Sequence, residues 1–84
     1  MISLEEQSVV VHLSDEGRRV LRQAGMELPE SPGIRFDVQE ESGRGLWIRL
    51  DYPDGFRHVL LIRWEYILAM DVIVGDVRTD VLPN

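Results

Sequence analysis

The sequence contains no cysteine and no lysine, and it has only two histidines. Without cysteine the chain can form neither a disulfide framework nor a thiolate metal site. Its apolar stretches are far shorter than the roughly 20 residues of a membrane-spanning helix. The first six residues are acidic and lack the basic-then-apolar pattern of a secretory signal. We therefore expect a cytoplasmic protein.

Charge and composition narrow the class of protein further. The 84 residues carry a net charge of −6, and all nine basic residues are arginine. Such a charge opposes general attraction to nucleic acid or anionic membranes and favours basic partners. With 44% apolar and 29% charged residues the composition is globular, and the length predicts one domain, 1–84, with loose termini at 1–6 and 79–84. The exclusive use of arginine suggests a GC-rich coding background, with a thermophilic source as a further hypothesis.

The N-terminal third predicts a strand followed by a helix. Residues 8–13 are rich in β-branched side chains, which favours a strand. Ser14 is placed to cap a helix over 15–24, whose first turn carries two carboxylates and which Gly25 ends. The connector 26–33 contains two prolines and is expected to be a loop.

Two hairpins follow, and their apolar residues alternate with polar ones. Pro53-Asp54-Gly55 is typical of a three-residue hairpin loop, which places Leu50 opposite His58 and Asp51 opposite Arg57. For the earlier hairpin, a two-residue loop at 42–43 would set the apolar residues of the first strand against polar ones. A three-residue loop, 42–44, instead pairs Val38 with Ile48, Gln39 with Trp47 and Arg35 with Asp51.

The last third predicts a short turn over 64–67 and then a strand from Leu68, with a longer helix over 64–70 as the alternative. This order of apolar strand, short turn and last strand resembles the end of SH3-like or Sm-like small barrels. We therefore expect an α+β fold, with one short helix and a four- or five-stranded, mostly antiparallel sheet or a small SH3/Sm-like barrel.

No arrangement of residues predicts catalysis, a cofactor or a bound metal. His12 and His58 do not have metal-ligand spacing, and no serine lies in a nucleophile motif. Asp51 and Asp54 flank a turn without calcium-loop spacing, and Gly43-x-Gly45 lacks the helix of a phosphate cradle. We expect no enzymatic activity and no small-molecule substrate.

Two groups of residues are candidates for binding. The alternation places Trp47, Val59 and Leu61 together on the face of the sheet that is not core, where an apolar cluster marks an interface unless another element of the chain covers it. The outer face of the helix carries a basic strip of Arg18, Arg19 and Arg22, which is either a solvated, salt-bridged face or a contact for acidic groups.

These residues are compatible with three alternative functions. The first is a protein-interaction or regulatory module, self-associating as a homodimer through its sheet. The second is an acidic inhibitor, antitoxin or nucleic-acid mimic that binds a basic protein. Its carboxylates would be Glu5, Glu6, Glu27, Glu30, Glu40 and Glu41. The third is a small RNA-binding barrel that uses the basic strip and Trp47 for phosphate and stacking contacts, although the net charge makes nucleic acid an unfavourable partner.

Overall fold

A computed structural model describes residues 3–51 and 53–73 of the chain. The elements are β1 (Ser8–Leu13), α1 (Asp15–Gln23), β2 (Gly33–Glu41), β3 (Gly45–Asp51), β4 (Arg57–Arg63), a 3₁₀ turn (Trp64–Tyr66) and β5 (Ile67–Ile73). The predicted order of strand, helix and four further strands is confirmed, and so is the short turn before the last strand. The expected loose tail at 79–84 lies outside the described residues.

The five strands form one antiparallel sheet in the order β4-β3-β2-β1-β5. The sheet is not closed, so the barrel that we considered as an alternative is wrong for the described residues. Four strand spacings would separate β4 from β5 by about 19 Å in a flat sheet. The 3₁₀ turn that joins them contains only three residues, so the sheet must curl at this end. The turn is anchored on both sides, because Trp64 N donates to Arg44 O at 3.2 Å and Tyr66 O accepts from Ser14 N at 2.8 Å.

The core lies on the inner face of the curled sheet. Alternate residues of the strands are buried there, together with Leu21 of α1 and Leu4 of the N-terminal segment. Leu4 is only 7% exposed, so the segment 3–6, which we expected to be loose, contributes to the core. The buried strand residues are Val9, Val11, Leu13, Ile34, Phe36, Val38, Leu46, Ile48 and Ile62.

The helix begins and ends where the sequence predicts. Ser14 Oγ accepts a hydrogen bond from Gly17 N at 3.0 Å, which satisfies one of the free N–H groups of the first turn. Gly25 has a φ of 99°, the left-handed conformation that ends helices and that glycine adopts without strain. A Cβ on Gly17 would lie 2.7 Å from Tyr66 Cβ, so this glycine lets the helix pack closely against the 3₁₀ turn.

The β3–β4 pairing has the predicted register. Leu46 lies opposite Ile62, Ile48 opposite Leu60, and Asp51 opposite Arg57. The expected pair of Tyr52 and Phe56 lies outside the described residues. Apolar alternation along both strands fixes this register, because a slip by one residue would turn the buried set to solvent.

The β2–β3 pairing corrects the predicted loop. Val38 lies opposite Ile48 as predicted, but Trp47 lies opposite Glu40 instead of Gln39, because the register shifts between Val38 and Glu40. Ser42 N donates to Gly45 O at 3.0 Å across a two-residue turn. The three-residue loop over 42–44 is therefore wrong. The expected pair of Arg35 and Asp51 is not among the β2–β3 pairs of the described residues.

Candidate contact site on the outer face of the sheet

The predicted apolar cluster lies together on the outer face of the sheet. Trp47 is directly opposite Leu61 across the β3–β4 ladder. Val59 lies two residues before Leu61 on the same face of β4 and is 45% exposed, whereas Trp47 and Leu61 are half-buried. The helix packs on the inner face through Leu21, so no helix or strand among residues 3–51 and 53–73 covers this cluster. We call these three residues the Trp47 patch.

The β2 bulge brings polar groups beside the Trp47 patch. Gln39 is the additional residue between the paired residues Val38 and Glu40. Gln39 and Glu40 line a shallow depression together with Trp47 and Val59. The depression therefore has one apolar side and one polar side that carries a carboxylate. Gln39 was predicted to lie opposite Trp47, but Glu40 was not placed beside the patch, because alternation alone does not reveal a bulge.

The ring of Trp47 is held by the turn between β2 and β3. Trp47 Nε1 donates to Ser42 Oγ at 3.3 Å, and the same oxygen accepts from Arg44 N at 3.2 Å. The Ser42 carbonyl oxygen accepts from Trp64 Nε1 at 2.8 Å. Ser42 therefore joins both tryptophans to one turn. The sequence marked Ser42 only as a loop residue.

The other end of the outer face is polar, and most of its charged side chains have partners within the chain, although Arg35 makes no hydrogen bond or ion pair with the described residues. Arg49 lies 3.1 Å from Glu6, and Arg57 lies 3.8 Å from Asp51. Asp37 accepts a hydrogen bond from Ser8 Oγ at 2.8 Å. We call this set the charged end of the sheet.

The basic strip does not form a surface of free guanidinium groups. Arg18 donates to the carbonyl oxygens of Pro29 at 3.0 Å and Pro32 at 3.3 Å, and also to that of Ser31. It therefore fastens the connector to the helix. Arg19 lies 3.8 Å from Glu16, while Arg22 has no ion pair within the described ranges. The strip lies on the helix side of the sheet, so the structure does not bring it together with Trp47.

The two histidines lie apart, each near a carboxylate. His12 Nε2 is 3.9 Å from Asp71 Oδ2, and His58 Nε2 is 2.9 Å from Asp54 Oδ2. Phe56 N donates to Asp54 Oδ1 at 2.8 Å. This backbone hydrogen bond, followed by the hydrogen bond from His58, lowers the pKa of Asp54 below its ordinary value. The arrangement is that of a turn in which an aspartate accepts from the backbone.

No group of three or more histidine and acidic side chains in the described part of the chain is placed to hold a metal ion. Over the same residues, no helix combines the length and the apolar character needed to cross a bilayer. Comparison with protein-family models, curated proteins and solved structures gives no match.

Proposed function

We propose that this chain is a small, cytoplasmic protein-interaction or regulatory module without catalytic activity, and that it contacts a partner protein through the Trp47 patch. The observation that supports this most strongly is the position of the patch on a face that no described element covers, with Val59 45% exposed and Trp47 and Leu61 partly accessible. Exposed clusters of aromatic and aliphatic residues are common at protein interfaces, where tryptophan is among the residues that contribute most to affinity.

The hydrogen bonds around Trp47 also favour a contact role. A side chain that is already fixed loses little conformational freedom when a partner binds, so more of the contact energy appears as affinity. Trp47 is held through Nε1 by Ser42, and its side chain lines the depression together with Val59. The site is therefore organised before any partner arrives.

The proposal includes self-association through the sheet as a homodimer. An open sheet has two edge strands whose backbone groups can pair with another strand. Here the edges are β4 and β5. Strand β4 carries Arg57 and Arg63 at its two ends, whereas Asp71 is the one charged residue of β5. Because charged side chains discourage pairing of edges, β5 is the better edge for a second copy.

The other two functions have less support from the described residues. An acidic inhibitor needs carboxylates that are free for a basic protein, and two of its six glutamates are engaged: Glu6 lies 3.1 Å from Arg49 and Glu41 accepts a hydrogen bond from Leu4 N. An RNA-binding surface needs phosphate and stacking contacts on one side of the molecule. The basic strip and Trp47 lie on opposite sides of the sheet.

The test is selection of binders from a displayed library of random 12-residue peptides. We expect selected peptides to bind the wild type and to lose at least about tenfold in affinity on Trp47→Ser, which corresponds to about 1.4 kcal/mol. The matched control is Phe56→Ser, because Phe56 is an aromatic residue 71% exposed at the other end of β4. It should leave binding unchanged.

The same samples examined by light scattering after size exclusion test the homodimer. We expect dimers of the wild type and of both variants, with unchanged far-ultraviolet circular dichroism. A wild type that is monomeric at all concentrations would remove self-association from the proposal. If the selected peptides bind Trp47→Ser and wild type with equal affinity, the Trp47 patch is not the contact site.

A further inference from the structure

We infer that the depression beside Trp47 accepts one basic side chain, arginine or lysine, from the partner protein. This inference rests on the proposed function and names the chemistry that the Trp47 patch recognises. It follows from the shape and polarity of the depression, which is lined by Gln39, Glu40, Trp47 and Val59.

The two sides of the depression match the two parts of a basic side chain. Arginine and lysine have a long apolar stem and a charged end group, and they pack the stem on apolar surface while the end group stays polar. Trp47 and Val59 offer the apolar surface. Glu40 and Gln39 offer oxygen atoms that accept hydrogen bonds from the end group. A guanidinium or ammonium group near the tryptophan ring is attracted further by the electrons of the ring.

The carboxylate of Glu40 differs from the other carboxylates on this face of the sheet. Glu40 is exposed, and no hydrogen bond or ion pair engages its side chain among the residues that the structure describes. The other outer-face carboxylates each lie near a partner, namely Asp37 with Ser8, Asp51 with Arg57 and Asp71 with His12. Of these three, only Asp51 faces an arginine, since a serine hydroxyl cancels no charge and His12 carries charge only when it is protonated. Glu40 differs from all of them because its carboxylate has no such contact and lies beside the apolar side chains of Trp47 and Val59.

The bulge is the feature that places this charge. It sets Glu40 directly opposite Trp47 and adds Gln39 next to it. β-Bulges redirect side chains and are common beside functional sites. With the regular ladder of the predicted loop, Gln39 would stand opposite Trp47, and the carboxylate of Glu40 would lie one residue further along the strand.

Peptides selected on the wild type provide the test. We expect an arginine or lysine at one position to be enriched, and replacing it with glutamine in the peptide should weaken binding about tenfold. On the protein, Glu40→Gln should weaken binding about fivefold and should reduce the salt dependence of the affinity between roughly 50 and 500 mM NaCl, as expected for the loss of one partly exposed ion pair.

The control is Glu27→Gln, which removes an exposed carboxylate from the loop after the helix. It changes the net charge equally and should leave affinity unchanged. Selected peptides without a basic residue, or equal affinities for wild type and Glu40→Gln, would overturn the inference and leave the Trp47 patch in place. Loss of binding on Glu27→Gln equal to that on Glu40→Gln would also overturn it, because the effect would then be one of net charge. Unchanged binding on Trp47→Ser is the separate result that removes the proposed function itself.

Discussion

The two ends of the outer face of the sheet use charge in opposite ways. At the charged end, Arg49 and Arg57 each lie within 4 Å of a carboxylate of the same chain. At the Trp47 patch, the carboxylate of Glu40 stands beside two apolar side chains without such a partner in the described residues. Both ends belong to the same three strands. The difference teaches that exposed charge alone is a poor guide to a contact site, and it is the unpaired charge beside apolar surface on which the proposal rests.

The two ends of the outer face also differ in what they contribute to the stability of the fold. The Asp51–Arg57 pair of the charged end is exposed, with 65% of the Arg57 and 89% of the Asp51 side chain accessible, so it contributes little to stability. It favours the observed register of β3 against β4 instead. The Trp47 patch has apolar area that water still reaches, and in the proposed function the burial of this area by a partner supplies binding energy.

The largest effect is expected where the backbone that carries Trp47 meets β4. A Cβ on Gly45 would collide with the carbonyl of Ile62 and lie 2.8 Å from the Cα of Arg63. Gly45→Ala should therefore lower the free energy of unfolding by about 3 kcal/mol, because two backbone segments must separate. Urea denaturation measures this change. The control is Gly43→Ala, since a Cβ on Gly43 would meet no neighbouring atom within 4 Å.

Equal stabilities for Gly45→Ala and Gly43→Ala would mean that β3 and β4 do not approach as closely as described. In that case the position of the Trp47 patch relative to β4 would also be wrong. If Gly45→Ala is destabilised but still folded, we expect it to lose peptide binding at the Trp47 patch, while the ion pair of Arg49 with Glu6 at the charged end is less affected.

A smaller effect is expected from reversing one charge at the charged end. Asp51→Arg places an arginine opposite Arg57, and like charges directly opposite each other in a ladder are destabilising, here by up to about 1 kcal/mol. Thermal unfolding measures the loss. The double variant Asp51→Arg with Arg57→Asp restores an opposite pair and should recover most of it. Affinity for peptides at the Trp47 patch should stay unchanged in both variants, which would separate the two ends of the face.

The parts of this fold that local patterns determine were predicted from the sequence. Ser14 and Gly25 are placed to begin and end the helix, and the alternation from Leu46 to Ile62 fixes the β3–β4 register. The β2–β3 turn was not predicted correctly, because a two-residue turn with a bulge and a three-residue loop without one both place Val38 opposite Ile48. Apolar alternation cannot distinguish them. The deciding contacts are distant in sequence, since Gly45 packs on the backbone of residues 62–63 and Trp64 binds Ser42.

The candidate site was predictable to the same extent. The three apolar residues of the Trp47 patch follow from alternation along β3 and β4. Gln39 was placed opposite Trp47 by the predicted register, but Glu40 could not be assigned to the site, because only the bulge brings it opposite Trp47. The sequence also did not decide between an open sheet and a barrel, because this depends on contacts that are distant in the chain. Strand β5 pairs with β1, and the described residues of β4 and β5 do not pair with each other.

The smallest predicted effect concerns pH and the turn that joins β3 to β4. Asp54 accepts hydrogen bonds from Phe56 N and His58, so its pKa is lower in the folded chain than its ordinary value of 3.8 in the unfolded chain. The folded state therefore favours the charged carboxylate. Its contribution to stability is present above pH 3.8, and it is lost as the pH falls from there through the lower folded pKa.

Asp54→Asn keeps an oxygen that can accept from Phe56 N but removes the charge. We expect the variant to be slightly less stable than wild type at about pH 7, and the difference between the two to shrink as the pH falls below about 4. Urea denaturation of both proteins from about pH 7 to about pH 2.5 measures this difference. The other carboxylates titrate in both proteins and cancel in the comparison. A difference that is constant over this range would show that the charge of Asp54 does not stabilise the turn. The first residues of β4, which follow this turn, would then be held by backbone hydrogen bonds and by the Asp51–Arg57 pair.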